Sequence, residues 1–521
     1  MGERNVENYP ELVSPDGYRM RPLEIATDAA ALAEMWNASD SQWPGTFTHG
    51  VPMTARSARQ WFADLNAREI MVWDAGGTLA GYCCLVDDAD EDDVAHVHLL
   101  NVAPQFQGKG LARRFLTYFV RRAAERNAKR IQLYTWSGNI KAVPLYKKCG
   151  FCWQPNTAVY MPNFVPRVLN MPALAGFFEA HDWYPALDRP LDQVPDDQQW
   201  EGMDVYTYRF AGGGREIIAR ADRHVMDIAA VETDTFAAAV IPNDIAPPRG
   251  RATEVRFGVE NRGTEEMAVS IAAGGIGEIH FRHAQRLTLA PGQRRDLAAS
   301  VDVPADPPAQ PTPGRASPGV RATFVLGQEL VELAAGMTPR QAVEVEPAPE
   351  PISLPADVEM PWRLNLRNRL KSPVDVTLQA IGRGGVSADL AERTVRLGPE
   401  GRAGVDMTLA SDRPGVGGLS VTAEVADGRG GDLHVQGRPQ PVFVRGGGEL
   451  LFGPDGDDFR VETGRLRVKL TRRGGRLHVY DLPTGRQIME LDHWPAPPQQ
   501  PSQFWRLPFD LAADRDRPGV V

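Results

Sequence analysis

Two glycines one residue apart, Gly108 and Gly110, bracket Lys109 in the stretch VAPQFQGKGLARRF (residues 102–115), between an apolar run and an amphipathic one. Consecutive main-chain N–H groups at such an entry into a helix make a nest for an anion, suited to a pyrophosphate. Two other glycine-loop chemistries fail on spacing. A Walker-type loop needs Gly-x-x-x-x-Gly-Lys followed by Ser or Thr, and here Lys109 is followed by Gly110 and Leu111. A dinucleotide loop needs a third glycine where Arg113 stands, and needs it after the first strand of its domain rather than after the fourth or fifth.

The loop must be held by elements on both sides. GYRMRPLE alternates like a strand, and DAAALAEMWNASD carries a helical face with Asp28 as its cap. TARSARQWFADL repeats that pattern behind Thr54. REIMVWDA and TLAGYCCLV form a hairpin about Gly76 and Gly77, and VAHVHLLNV follows the acidic tip DDADEDD, which reads as a solvated turn before it reads as a guide for basic substrates. GLARRFLTYFVRRAAERNA then gathers Leu111, Phe115, Tyr118 and Phe119 on one face. Strand RIQLYTW, helix NIKAVPLYKKCG and strand FCWQPNTAVYM complete a mixed α/β domain that sets the glycine loop at the C-terminal end of a strand.

These residues resemble the GNAT acetyltransferase superfamily. Its signature is Arg or Gln, two residues, Gly, one residue, then Gly or Ala, after a strand carrying Val-x-Pro; Gln105, Gly108 and Gly110 stand at those places behind Val102 and Pro104. Downstream, Asn139, Ala142 and LYKKCGF (145–151) match the second half of the pattern. The resemblance covers roughly residues 15–165 and implies acetyl-CoA as cosubstrate. The amides of Gln107, Gly108, Lys109, Gly110, Leu111 and Ala112 would take its pyrophosphate, with Lys109 or Arg113 near the phosphates, while Val102 would pair its backbone with the pantetheine arm between two splayed strands and Asn139 would bond that arm. Tyr146 matches the family's general acid, or it is a packing tyrosine. Where family members often carry a glutamate base, seven residues before the motif, this chain has His98, on the same strand face as His96; His98, His96 or a relay water is then the base. Trp36, Trp43 and Phe47 form either an acceptor wall or core.

At 521 residues the chain exceeds one hydrophobic core, so several domains are expected. The expected boundaries are 1–165 for the GNAT domain, 166–204 for a helical, Pro-punctuated connector, 205–345 and 346–445 for two β-sandwiches, and 446–521 for a short β-rich segment. The sandwiches rest on an internal repeat of about 107 residues, in which ATEVRFGVENRG is echoed by PWRLNLRNRL and RLTLAPGQRRDLAASV by RTVRLGPEGRAGVDMTL. Short alternating strands in copies of this length resemble immunoglobulin-like modules. PADPPAQPTPGRASPG reads as a long loop within the first copy, EPAPEPISLPAD as a linker, and the tail as three strands joined by Arg-Gly-Gly and Pro-Thr-Gly turns.

A formal charge of -10 argues against a general nucleic-acid or anionic-membrane binder. The polar N-terminus has no apolar core of signal-peptide length, no window is apolar enough to span a bilayer, and a cytoplasmic protein is expected. All four cysteines fall in the first third; Cys149 and Cys152 form a CxxC without a second ligand pair, so buried unpaired thiols are expected and no metal site. The expectation is thus an N-acetyltransferase moving an acetyl group to the amine of a small molecule, peptide or amino sugar, with the sandwiches binding acceptor or partner. The alternative is a non-catalytic CoA-sensing scaffold or carbohydrate-binding protein.

Overall fold

The structure, a computed structural model, describes residues 9–491 except 44–46, 49, 64, 66, 89–90, 137, 140–141, 158, 306–316, 349–351, 427, 429–432, 438, 447–449, 456–457, 464, 471–476 and 483, and beyond 491 residues 519–520. It divides into two compact units. The first comprises residues 1–247, 252–302 and 308–338, and the second the remainder.

The first unit opens on a six-stranded sheet in chain order: β1 (Arg19–Pro22), β2 (Ala67–Asp74), β3 (Leu79–Asp87), β4 (Val94–Val102), β5 (Arg130–Tyr134) and β6 (Tyr160–Asn163). All neighbours run antiparallel except β4 and β5. Helices α1 (Ile25–Ser39) and α2 (Ala55–Ala63) cover one face, where Leu32, Trp36, Tyr82, Cys84 and Leu99 share a core. On the other face, α3 (Leu111–Glu125) and α4 (Val143–Lys148) bury Phe115, Leu116, Phe119 and Tyr146 against Cys83, Leu85 and Val97. Burying each of those large side chains contributes about 2 kcal/mol, so α3 is held mainly by its apolar stripe.

Local chemistry sets the helix starts. Thr54 caps α2 reciprocally, its hydroxyl accepting from the Ser57 amide (3.2 Å) while its own amide donates to Ser57 Oγ (2.7 Å). Asp28 is not the cap of α1. The helix begins three residues earlier, and Asp28 reaches back to accept the Glu24 amide (2.8 Å) and pairs with Arg21.

Past β6 the chain enters α5 (Val165–Leu169), α6 (Ala175–Ala180) and α7 (Trp183–Ala186), then strands β7 (Leu187–Asp188), β8 (Gln198–Trp200), β9 (Met203–Gly212), β10 (Arg215–Asp222), β11 (Asp227–Glu232) and β12 (Phe236–Pro242). The boundary expected at residue 165 falls inside one continuous core, in which Phe164, Val165 and Val168 pack with Tyr206, Tyr208 and Phe210 of β9. Strands β7 to β12 join β13 (Ala252–Asn261) and β16 (Arg294–Asp302) in an eight-stranded sheet. A second sheet of β14 (Met267–Ile276), β15 (Arg282–Leu289), β17 (Gly319–Leu326) and β18 (Glu329–Gly336) lays β17 and β18 across β11 and β12.

The second unit holds β19 (Val343–Ala348), β20 (Ile352–Pro355), β21 (Met360–Asn368), β22 (Val374–Arg383), β23 (Val386–Leu390), β24 (Thr394–Leu397), β25 (Arg402–Ser411), β26 (Gly415–Ala426), β27 (Leu433–Gln436) and β28 (Gln440–Arg445) in two sheets around Leu364, Leu366, Val376, Leu409 and Val421. The sequence repeat is a repeat of strand pairing. β13 pairs with β16 as β21 pairs with β25, and β14 takes β15 and β17 on its two sides as β22 takes β24 and β26.

The C-terminal sheet of the second unit has five consecutive strands where three are expected, because FRVETGRLRVKL folds back at Thr463, whose hydroxyl accepts the Leu466 amide (2.9 Å), and a further strand, Leu451–Asp455, precedes it. Ser353 donates to Glu462 (2.7 Å), and the Arg460 guanidinium lies 4.5 Å from the Phe443 ring centre, which ties that sheet to β20 and β28. The Arg-Gly-Gly turn, most of PADPPAQPTPGRASPG and most of the chain beyond 491 lie outside the described residues.

Candidate active site

β4 and β5 pair only from Val94↔Arg130 to His96↔Gln132; beyond that they diverge, and among the described residues no strand pairs with the β5 side of β4 from Val97 to Val102. On its other side β4 stays in register with β3, from Leu99↔Cys84 to Val102↔Gly81, after a bulge that leaves His98 without a cross-strand partner. The result is a V-shaped opening through the sheet, closed at His96 and wide at Val102.

The glycine loop lies at the wide end. A 3-10 turn, Pro104–Phe106, leads into Gly108 and Gly110, both left-handed at φ +76° and +75°, and Gly110 is the residue before α3. Only glycine adopts two such conformations so closely spaced without strain. A Cβ built on Gly108 meets nothing within 4 Å, so its surroundings are open. The Gln107 amide closes the turn on the Pro104 carbonyl (3.3 Å), and among the described residues no acceptor meets the amides of 108 to 113. That run of donors at a helix start fits a pyrophosphate.

His96 and His98 stand on the α1/α2 side, ring centres 6.3 Å apart, and His96 lies 5.4 Å from Tyr134, itself 4.9 Å from Tyr160. Burial lowers both imidazoles, His96 to about 4, so both are neutral proton acceptors at pH 7. Trp36 is fully buried against Tyr82, Phe62 and Trp61 and belongs to the core. Trp43 and Phe47 are half-buried, and Trp43 meets Trp136, from the end of β5, at 5.9 Å. Aromatic side chains therefore line this side.

Tyr146 is on the opposite side, on α4. Its hydroxyl is raised above the ordinary tyrosine value chiefly by burial, with Cys83 and Cys149 adding to the rise and a hydrogen bond with Asn139 opposing it. Asn139 also donates to Thr135 (2.8 Å). A neutral phenol in a dry site is a proton donor rather than an acceptor.

The model of the Acetyltransferase (GNAT) family matches residues 32–151. The N-terminal part of this chain is a GNAT acetyltransferase domain. Similar curated proteins include a mycothiol acetyltransferase from Pseudarthrobacter chlorophenolicus, 27% identical over 158 residues (29% of this chain, 48% of that protein), and one from Nocardia farcinica, 31% identical over 157 residues (30% and 52%). The chain thus spans about half the length of the curated relatives it matches. Similar solved structures include a GNAT-family acetyltransferase from Streptococcus pneumoniae, 18% identical with a TM-score of 0.24 over 28% of this chain and 95% of that one. A ribosomal-protein-alanine N-acetyltransferase from Brucella melitensis is 18% identical with a TM-score of 0.24 over 28% and 98%.

Within the GNAT domain the structure brings together Val102, the 107–112 loop and His98 along β4 and its exit, with Asn139 and Tyr146 on the far side. Both cations near the loop have partners of their own, the Arg113 guanidinium standing 3.6 Å from where a Cβ on Gly110 would lie. Lys109 donates to the Tyr18 hydroxyl (2.8 Å) and pairs with Asp16 (3.2 Å), and the Arg113 guanidinium lies 5.6 Å from the Tyr184 ring centre. The Gln107 side chain donates to the Val102 carbonyl (3.1 Å) and to Gln42 (2.7 Å). Sequence reasoning passes over Tyr134, Tyr160 and Trp136, although period-two alternation in RIQLYTW already pairs Tyr134 with Trp136 on one face. All four cysteines are buried and free. No described helix is long and apolar enough to cross a membrane.

Proposed function

We propose that the GNAT domain transfers an acetyl group from acetyl-CoA to the primary amine of a small molecule. The observation that carries this reading is the V-shaped opening, with unpaired helix-start amides at its wide end, neutral histidines on one face and a protonated tyrosine on the other. Acetyl-CoA supplies an activated acetyl thioester. The amides of 108–113 would hold its pyrophosphate, Val102 and Asn139 its arm. His98 accepts the proton that the amine must lose, for an alkylamine near pKa 10.4 is overwhelmingly protonated at pH 7. Tyr146 gives a proton to the departing thiolate. The aromatic wall of Trp43, Phe47 and Trp136 shapes the acceptor side, and relatives named mycothiol acetyltransferase favour a small-molecule acceptor.

The β-rich modules are assigned to acceptor or partner binding. Support comes from a cavity of about 110 Å³ on the eight-stranded sheet, lined by Trp200, Glu232, Gly258, Glu260, Arg262 and Arg294.

The experiment is thiol release: full-length protein with acetyl-CoA and a panel of primary amines, small peptides and amino sugars. Amine-dependent free CoA, lowered about 10²-fold by Tyr146→Phe with acetyl-CoA affinity unchanged, is the expected result. Tight CoA binding without release on any amine would turn the assignment to a sensor.

A further inference from the structure

Lys147 follows Tyr146 on α4 and is fully buried, an unusual place for an ammonium. It donates to Asp192 Oδ1 and to the Val194 carbonyl, both at 2.7 Å, and lies 3.4 Å from Asp196 Oδ1. Asp196 also takes the Arg189 guanidinium (3.0 Å) and the Trp153 amide (2.7 Å), and its own amide donates to the Trp153 carbonyl (2.8 Å). Lys148 donates to the Leu187 carbonyl (3.0 Å). Just past the helix, Tyr208 of β9 donates to the Gly150 carbonyl (3.0 Å), accepts the Phe164 amide (3.0 Å) and lies 3.1 Å from Cys152 Sγ, while Arg189 donates to the Gly150 and Phe151 carbonyls.

A six-residue helix cannot hold its own direction in water. Its orientation comes from what it touches, and both lysines of α4 are anchored by residues between 187 and 196. A buried ammonium with two carboxylates and a carbonyl has little freedom to move, because every alternative leaves a charge without a partner.

We propose that Lys147, clamped by Asp192, Val194 and Asp196, is a positioning residue for Tyr146, so that the segment joining the GNAT domain to the β-rich sheet is part of the acetyl-transfer machinery. This rests on Tyr146 acting as the acid. The titratable groups facing its hydroxyl are Cys83 on β3 and Cys149 at the end of α4, with Asn139 as hydrogen-bond partner. Among the described residues none of Lys147, Asp192, Val194 and Asp196 has a hydrogen bond or ion pair with residues 107–112, the glycine loop that leads into α3. Loosening the clamp therefore affects proton donation and not cofactor binding.

The test uses the full chain with Lys147→Met and Tyr208→Phe, each alone and combined with Tyr146→Phe, assayed by CoA release with acetyl-CoA and the fastest amine of the panel. Lys147→Met is expected to lower kcat about 10²-fold, the effect of a misplaced catalytic group, with the acetyl-CoA KM within about twofold. It should shift the alkaline limb of the rate profile to lower pH as water reaches Tyr146, raise amide exchange at 146–151, and have no further effect in the Tyr146→Phe background. An equal effect in both backgrounds, or a lowered melting temperature with kcat and the alkaline limb unmoved, overturns the proposal. If Lys147→Met does not fold, Tyr208→Phe should give the same pattern at smaller amplitude, and an unaltered kcat and profile overturns it equally. Should Tyr146→Phe alone leave turnover unchanged, the acid assignment fails and the positioning role with it; a slowed Tyr146→Phe with multiplying effects rejects the positioning role alone.

Discussion

The two faces of the N-terminal sheet are finished differently. Under α1 and α2 the surface around the opening is aromatic and its histidines are neutral, held by ring contacts more than by directed bonds. Under α3 and α4 the corresponding region is sealed by a charged network from the connector and β9. Contacts without fixed direction tolerate an acceptor of variable shape, whereas buried ion pairs admit one arrangement. The difference teaches that the acceptor side is built to admit and the acid side to hold.

Substitutions on the two faces should therefore fail in different ways. On the sealed side, Gly150→Ala is expected to have the largest effect, because its Cβ would stand 2.6 Å from Val165 and 2.8 Å from Asn163 at a φ of +94°. Overpacking and left-handed strain together cost about 3 kcal/mol, read as a fall in the denaturation midpoint, and a midpoint within error of the wild type would contradict the tight packing. On the acceptor side, His98→Gln should leave the midpoint alone and slow transfer about 10²-fold. The wild-type rate should rise with pH and level off below 6.5, since burial lowers His98 from that value, and the variant should lose this limb.

Trp43→Ala should come next, raising the acceptor KM about three- to tenfold through loss of the contact with Trp136 while kcat stays put. A further prediction concerns pH and stability. His96 is depressed from 6.5 to about 4, so the unfolded chain binds its proton first; stability is full above 6.5 and declines as pH falls towards 4. His96→Gln should flatten that decline in urea titrations, and an unchanged slope would mean the ring is solvated.

Much of this domain could be read from residue order. The glycine loop is a local pattern whose spacing is enforced by backbone geometry and points to Gly108, whereas His98 and Tyr146 are reached through the resemblance to the GNAT family. What could not be read is long-range. Nothing near Lys147 announces that its partners lie 45 and 49 residues later, or that Tyr208 closes on Gly150, because polar pairs across that distance leave no periodicity. The bulge at His98 is likewise set by β3, and the sequence of the helical, Pro-punctuated connector at 166–204 does not show that its residues 187–196 bond to Lys147 and Lys148.

Calorimetric titration of CoA into the full-length protein and into Gly108→Asp tests the central claim most directly. Bringing a carboxylate into the open space over the helix-start amides should weaken binding at least about 100-fold, as like charges do at close range. Saturating heat for the wild type and none for the variant is the predicted result; equal affinity in both would show that the phosphates are held elsewhere.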